Sequence, residues 1–312
     1  MSVDTVPDTA VALGRHERNR EGRDDYDITW RWADGQRSSG FTAVLRVKNE
    51  ARNLPWVLPG LLRSVERVVL IDNRSDDGTP QVAERVAIEL ELRDRLEVLS
   101  YPFAVARCGS EHLGTPPDSL HSLTYYYNWA FSQVGTWYAM KWDGDMVLTE
   151  EGEQIVRDLA WQLEATEVVL PILRVPVYVR SADVAYVDVG VSGYFEPCGW
   201  PNTPRYRFIK GFEWEVPVRP DDVPTRMLPS FTCFELKWLD SDEFSNWTGD
   251  DFITSRRSSR KQRDWALFTA LNEGRMPPEL IRLERGDAAH VIDVVRTGRR
   301  AWWEQLAATV NR

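Results

Sequence analysis

The chain has 312 residues, of which 43% are hydrophobic and 28% charged, and its formal net charge is −10. These values predict a globular, soluble protein, built as one large α/β domain with appendages or as two small domains. The acidic balance argues against a protein that mainly binds nucleic acid, because neutralising phosphates requires a basic face. The three cysteines are too widely spaced for a disulfide framework or a zinc ribbon. No signal peptide or membrane-spanning stretch is predicted, so we expect a cytoplasmic protein.

The first 100 residues pass from a polar tail into alternating strands and helices. Residues 1–25 lack an apolar period, and residues 26–32 alternate apolar and polar side chains, which predicts a loose tail followed by an edge strand. Apolar runs predict buried strands at residues 41–47, 68–71 and 96–99, with helices over 49–64 and 79–92 between them. This alternation predicts a doubly wound, nucleotide-binding half.

Two carboxylates interrupt a later apolar run. Asp143, Gly144 and Asp145 end a predicted strand that follows a loop over residues 101–121 and a helix over residues 122–133. Burying an unpaired carboxylate costs several kcal/mol, so the pair indicates a cation, a hydroxyl-rich ligand or both. Side chains at i and i+2 of an extended chain point the same way, and the glycine between them leaves room for a ligand. A solvated turn is the alternative interpretation.

The remaining chain predicts a second half and a different C-terminal segment. A helix over 149–163 precedes two strands, at residues 168–179 and 184–191, that are predicted to form a hairpin on the acceptor side, and residues 231–239 form a late strand. Helices are predicted over residues 264–274 and 299–310. The basic run at residues 255–263 has three open interpretations: a solvated face, a clamp on a nucleotide diphosphate, or peripheral contact with anionic lipid or a lipid-linked acceptor.

Three segments occur in an order and spacing that resemble glycosyltransferase family 2 on the GT-A fold. They are Val-Lys-Asn-Glu at residues 47–50, Asp-Asn-Arg-Ser-Asp-Asp-Gly-Thr at residues 72–79, and Asp-Gly-Asp at residues 143–145. The resemblance covers residues 41–150 and implies an α/β, Rossmann-like fold with a mixed, mainly parallel sheet flanked by helices. The implied catalytic domain spans residues 41–240, with a nucleotide-binding half at 41–145 and an acceptor half at 146–240. Residues 1–40 precede it, and a helical extension at 241–312 follows.

The resemblance also implies a function: metal-dependent, inverting transfer of a sugar from a nucleotide diphosphate sugar, with UDP favoured, to a hydroxyl acceptor. The acceptor is a saccharide, a lipid-linked sugar or a small molecule, and Mn²⁺ or Mg²⁺ is the implied cofactor. Asp72 would read the base, Asp143 the ribose or the water shell of the metal, and Asp145 the metal itself. The implied nucleotide-binding residues are Arg46, Val47, Lys48, Asp72, Asn128 and Asp143, and the implied metal ligands are Asp143, Asp145 and Glu235.

Two positions depart from the family pattern. Tyr127 stands where the family has the arginine of an Arg-Asn pair, and Glu235 stands where relatives have a histidine that binds the metal. Oxygen ligands suit Mg²⁺ and Mn²⁺, so a glutamate is chemically acceptable there.

An inverting transfer also needs a carboxylate base. The candidates fall into two pairs, of which the earlier is favoured: Glu213 with Glu215, and Asp250 with Asp251. Two other classes of function remain open, a nucleotidyltransferase on a similar sheet and a non-catalytic carbohydrate-binding or scaffold protein. This sequence has no Gly-rich phosphate loop after the first strand, which argues against a nucleotidyltransferase. The retained aspartates argue against a non-catalytic protein.

Overall fold

The computed structural model describes residues 16–35, 37–163, 166–191, 195–212, 214–241, 244 and 258–298. The described strands are β1 His16–Glu17, β2 Ile28–Thr29, β3 Ser38–Val47, β4 Arg67–Asp72, β5 Leu96–Ser100, β6 Thr136–Trp142, β7 Met146–Leu148, β8 Leu170–Leu173, β9 Val175–Val179, β10 Val184–Asp188, β11 Phe195–Pro201, β12 Arg207–Lys210, β13 Glu215–Val218, β14 Cys233–Trp238 and β15 Leu280–Glu284. The described α-helices are α1 Leu54–Ser64, α2 Thr79–Glu89, α3 Ser110–Gly114, α4 Leu123–Ser132, α5 Glu150–Gln162, α6 Ser258–Asn272 and α7 Val291–Thr297.

The larger sheet has six strands in the order β5-β4-β3-β6-β11-β8. The first four are parallel, and β11 is antiparallel to both of its neighbours. Alternate side chains of β3 point to opposite faces, as the strand period requires. Leu45 packs in a core with α1, α2 and α5, whereas Val44 packs in a second core with α4. The predicted fold class, a mixed and mainly parallel sheet with flanking helices, is therefore confirmed.

The smaller sheet has five strands in the order β15-β10-β9-β14-β7. Strand β14 is parallel to β9, and the other pairs are antiparallel. The predicted strand over residues 168–179 is in fact two strands, because β8 pairs in the larger sheet and β9 in the smaller one. Arg174 is the single residue between them. The predicted hairpin is confirmed for β9 and β10, in which Tyr178 pairs with Tyr186.

Two of the chain's crossings between the larger and the smaller sheet lie next to the predicted Asp143–Asp145 motif. The first crossing is the turn from β6 to β7, where the Met146 N–H donates to the Asp143 carbonyl at 3.2 Å and the Trp142 indole N–H donates to the Met146 carbonyl at 2.7 Å. The second crossing is Arg174, between β8 and β9. We call this junction the seam. It places Asp143, Asp145 and Arg174 at the boundary of the two sheets.

Other expectations are revised at the ends of the chain. The predicted edge strand over residues 26–32 is wrong for the main sheet, since only Ile28–Thr29 is a strand and it pairs with His16–Glu17 in a separate two-stranded sheet. The helix expected over residues 264–274 is part of the longer α6, and β15 joins the edge of the smaller sheet. The helix expected over 299–310 lies outside the described residues. No helix among the described residues is long and apolar enough to cross a membrane.

Candidate active site

The three segments that carry the family resemblance meet at one edge of the larger sheet. The Asn49 N–H donates to the Ser75 hydroxyl at 2.8 Å, and the Glu50 N–H donates to the Thr79 hydroxyl at 2.8 Å. Gly144 packs against Glu50 so closely that a Cβ built on the glycine would lie 2.7 Å from Cγ of Glu50. The room that the sequence predicted for a ligand at this glycine is therefore filled by the Glu50 side chain.

A cavity of about 500 Å³ opens at this edge, against the seam. It combines five basic and five acidic side chains with an aromatic ring and small residues. The lining residues are Arg46, Glu50, Tyr127, Lys141, Asp143, Gly144, Asp145, Arg174, Glu196, Glu235, Ser259, Arg260 and Lys261. This volume suits a small polar ligand, and the mixed charges suit one with anionic groups.

Asp143 lies between two arginines. Its Oδ2 accepts a hydrogen bond from Arg174 at 2.6 Å, and its Oδ1 lies 3.6 Å from a guanidinium nitrogen of Arg46. Burial alone would raise the pKa of Asp143, but Lys141, Arg174 and Arg46 outweigh it and hold the pKa well below its usual range. The carboxylate is therefore charged and already paired.

Glu196, on β11, is a carboxylate of the cavity that faces three basic side chains. Its Oε1 accepts from Arg174 at 2.6 Å and from Arg260 at 3.4 Å, and its Oε2 lies 3.7 Å from the Lys141 ammonium. Its side chain is 42% exposed, against 12% for each arginine. Burial raises its pKa less than Arg174, Lys141 and Arg260 together lower it. Three cations thus converge on one accessible anion.

Glu235, on β14, is more deeply buried. Its Oε1 accepts from the buried Lys237 ammonium at 3.1 Å, and its Oε2 accepts from Arg260. Burial opposes ionisation, but Lys237, Arg174 and Arg260 hold the pKa of Glu235 well below its ordinary value. Asp145 behaves in the opposite way, because burial and then the nearby charge of Glu235 raise its pKa well above the ordinary value.

The three predicted metal ligands do not form a common ligand set in this arrangement. Asp143 and Glu235 each present both carboxylate oxygens to basic side chains, as described above. Within the described ranges, no three His, Cys, Asp or Glu side chains are grouped so that they could hold a metal ion. A divalent ion bound through both Asp143 and Glu235 would compete with the arginine and lysine side chains that already pair with these carboxylates. The side chains in this arrangement therefore do not fit the ion in the way that the sequence predicts.

Asp72 lies at the same edge as the cavity but does not line it. Asp72 pairs with Val47, and Trp142 pairs with Leu45, so β4 and β6 end on either side of β3. With neighbouring strands about 4.8 Å apart, the ends of β4 and β6 are about 10 Å apart. Asp72 is 9% exposed, and its Oδ1 has no hydrogen-bond partner among the described residues. Such an oxygen can accept from the N–H group of a ligand.

The other predicted nucleotide-binding residues occupy contrasting positions. Arg46 lines the cavity and stacks its guanidinium carbon 3.4 Å from the centre of the Tyr127 ring. Val47 is buried, and Lys48 is exposed outside the cavity lining. The side-chain amide of Asn128 donates to the Phe208 carbonyl at 2.9 Å and accepts from the Phe208 N–H at 2.8 Å. Asn128 therefore attaches α4 to β12, with its amide fully engaged by backbone.

Only one predicted base candidate falls within the described residues. Glu215, at the start of β13, is 5% exposed and does not line the cavity, and its Oε2 has no hydrogen-bond partner among the described residues. Burial is the main reason that the pKa of Tyr127 lies well above its usual value, although Arg46 opposes the shift. The other three candidates lie outside the described residues: Glu213, Asp250 and Asp251.

Sequence reasoning missed three charged residues of the cavity: Lys141, Arg174 and Glu196. Lys141 and Arg174 interrupt apolar runs, where a charged residue requires a partner. That signal was available for both. Glu196 carried none, since it lies in an irregular aromatic-rich stretch. Arg260 lies in the basic run for which a clamp on a nucleotide diphosphate is one of the three interpretations.

Comparisons with known proteins give distant structural similarities. No protein-family model and no curated protein matches the chain. The structure is similar to S. aureus TarS residues 1–349 in complex with UDP-GlcNAc, with 14% identity and a TM-score of 0.43, over 87% of this chain and 71% of that one. It is also similar to glucosyl-3-phosphoglycerate synthase from Mycobacterium tuberculosis in complex with Mn²⁺, UDP and phosphoglyceric acid. That similarity has 15% identity and a TM-score of 0.28, and it covers 48% of this chain and 45% of that one. Similarity at this level assigns neither an activity nor a ligand to this chain.

Proposed function

We propose that this chain is a glycosyltransferase that takes a sugar from a nucleotide diphosphate sugar and delivers it to a hydroxyl acceptor. The observation that carries the proposal is the meeting of the three motif segments beside one charged cavity at the carboxyl edge of parallel strands. Open α/β sheets bind their ligands outside the carboxyl ends of the strands. The known UDP complexes of the two similar structures are compatible with a UDP-sugar donor.

In this proposal Asp72 accepts a hydrogen bond from the base, because its Oδ1 is an unpaired oxygen at the strand edge. Arg46 and Asp143 lie on the cavity wall that faces the diphosphate and the ribose. Charge builds on the diphosphate as the bond to the sugar breaks, so fixed positive charge near it lowers the barrier.

The resemblance to glycosyltransferase family 2 further implies that the anomeric centre of the sugar is inverted in a single displacement. Such a displacement requires a base on the side of the sugar opposite the diphosphate. We propose this base among the four carboxylates predicted from the sequence. Glu215, the one candidate among the described residues, is buried and lies outside the cavity lining. Glu213, Asp250 and Asp251 are therefore the first positions to substitute, each by its amide.

Binding calorimetry with a panel of nucleotide sugars tests the proposal. We expect one UDP-sugar to bind, and we expect Asp72→Asn to weaken that binding while leaving the folded state intact by circular dichroism. The anomeric configuration of the product, followed by NMR, then tests inversion. If no nucleotide sugar binds, the glycosyltransferase proposal is refuted. Release of pyrophosphate from a nucleoside triphosphate and a sugar phosphate would instead establish a nucleotidyltransferase.

A further inference from the structure

We propose that Arg174 and Arg260, assisted by Lys141, bind the diphosphate of the donor, and that this diphosphate displaces the carboxylate of Glu196. Side-chain cations then supply the positive charge that the sequence assigned to a metal ion. The inference rests on the proposed function, since it concerns the diphosphate of a nucleotide sugar.

The two guanidinium groups have the same arrangement. One terminal nitrogen of Arg174 donates to Asp143 and the other to Glu196, each at 2.6 Å. One terminal nitrogen of Arg260 donates to Glu235 and the other lies 3.4 Å from Glu196. Each arginine is therefore held on one side by its own carboxylate, and both turn their remaining nitrogen to the same Glu196 oxygen. Two planar forks converging on one oxygen form a site for an anion.

The supports of the two arginines are rigid. Arg174 is the single residue between β8 and β9, so strands in different sheets fix its backbone on both sides. Arg260 lies on α6, which Arg263 fastens to the smaller sheet by donating two hydrogen bonds to the fully buried Asp188. Cations held in place before the ligand arrives stabilise charge without further reorganisation.

Glu196 is the part of this cluster that can leave. Its side chain is 42% exposed, whereas those of Arg174 and Arg260 are 12% exposed and that of Glu235 is 7% exposed. Rotation of Glu196 into solvent would leave the cavity with more basic than acidic side chains. A diphosphate offers several anionic oxygens and can accept from both forks at once. The diphosphate therefore replaces the Glu196 carboxylate as the anion that pairs with both arginines.

The same geometry explains why the metal ligands do not fit. Asp143 and Glu235 each hold one of the two arginines in position with one oxygen and face a second basic side chain with the other, so an ion would compete with these cations for the same oxygens. The two arrangements compete for the same oxygens.

The test compares the binding of UDP and of uridine by calorimetry, in EDTA and then with Mn²⁺. We expect wild-type protein to bind UDP in EDTA, and Arg174→Lys and Arg260→Lys each to weaken UDP binding about tenfold or more. Uridine lacks the diphosphate, so its binding should be unchanged. Glu196→Gln should tighten UDP binding, a gain that misfolding cannot produce. Arg282→Lys, on an exposed side chain of β15, serves as the matched control.

Three results would overturn the inference while leaving the proposed function intact: UDP binding that requires Mn²⁺, arginine variants that weaken UDP and uridine equally, or Glu196→Gln that does not tighten UDP. Failure of wild-type protein to bind UDP and uridine, with or without Mn²⁺, would instead refute UDP as the nucleotide of the proposed donor and with it the inference, whereas the proposed function itself is refuted only if no nucleotide sugar of the panel binds.

Discussion

Replacing Lys237 by methionine should destabilise the fold, because it leaves the carboxylate of Glu235 short of a partner in the interior. The side chains are 1% and 7% exposed, and the Lys237 ammonium lies 3.1 Å from Oε1 of Glu235. At that separation, with an effective dielectric constant near 20, the attraction is about 5 kcal/mol. Arg260 still pairs with Glu235 in the variant. We therefore expect a net loss near the lower end of the range for broken buried pairs, about 3 kcal/mol.

Urea unfolding followed by tryptophan fluorescence measures this loss as a change in the free energy of unfolding. Lys48→Met is the matched control, because Lys48 is exposed and its truncation should change stability little. The double variant Lys237→Met with Glu235→Gln should recover part of the loss, since a neutral amide needs no counter-charge. If Lys237→Met is as stable as the Lys48 control, the pairing of Lys237 with Glu235 is not what stabilises this part of the smaller sheet.

Three further predictions follow from the structure. Gly152→Ala should lower the free energy of unfolding by about 3 kcal/mol, because a Cβ there would lie 2.0 Å from the Thr232 carbonyl oxygen, a backbone atom that cannot rotate away. The loss should appear as a lowered Tm, and an unchanged Tm would refute this packing. Burial lowers the pKa of His290 below 6.5, so the stability that its neutral ring provides is complete above pH 6.5 and is lost as the pH falls below it. His290 is the N-cap of α7, where its Nδ1 accepts a hydrogen bond from the Ile292 N–H at 3.1 Å. His290→Asn, which keeps a cap acceptor but does not titrate in this range, should therefore reduce the fall in Tm between about pH 7.5 and 5.5, and an identical fall would contradict this capping role. Finally, a thiol reagent should modify only the exposed Cys108 in the native protein and all three cysteines after denaturation, counted by mass spectrometry.

Much of the larger sheet could be predicted from the sequence because its signals are local. The apolar runs around Val44 and Val69 are long enough to identify buried parallel strands, and helical spacing identifies α2 and α4. The meeting of the three motif segments also follows from local information, since parallel strands place their carboxyl ends at one edge. Where pairing partners are distant in sequence, as for β8 and β9, the apolar pattern alone gave one strand instead of two.

The partners of the charged residues could not be predicted either, because these partners are also distant in sequence. A carboxylate at the end of a strand has the same sequence signature whether its oxygens hold an ion or a guanidinium, so the family pattern predicts a metal ligand at Asp143 where the structure has an arginine partner. What decides between them is Arg174, whose position depends on the chain leaving one sheet and entering the other at that residue. Arg260 adds a contact from a helix that follows Glu235 by 25 residues. The chemistry of the cavity is therefore fixed at the seam, by the relative placement of two sheets that no local pattern records.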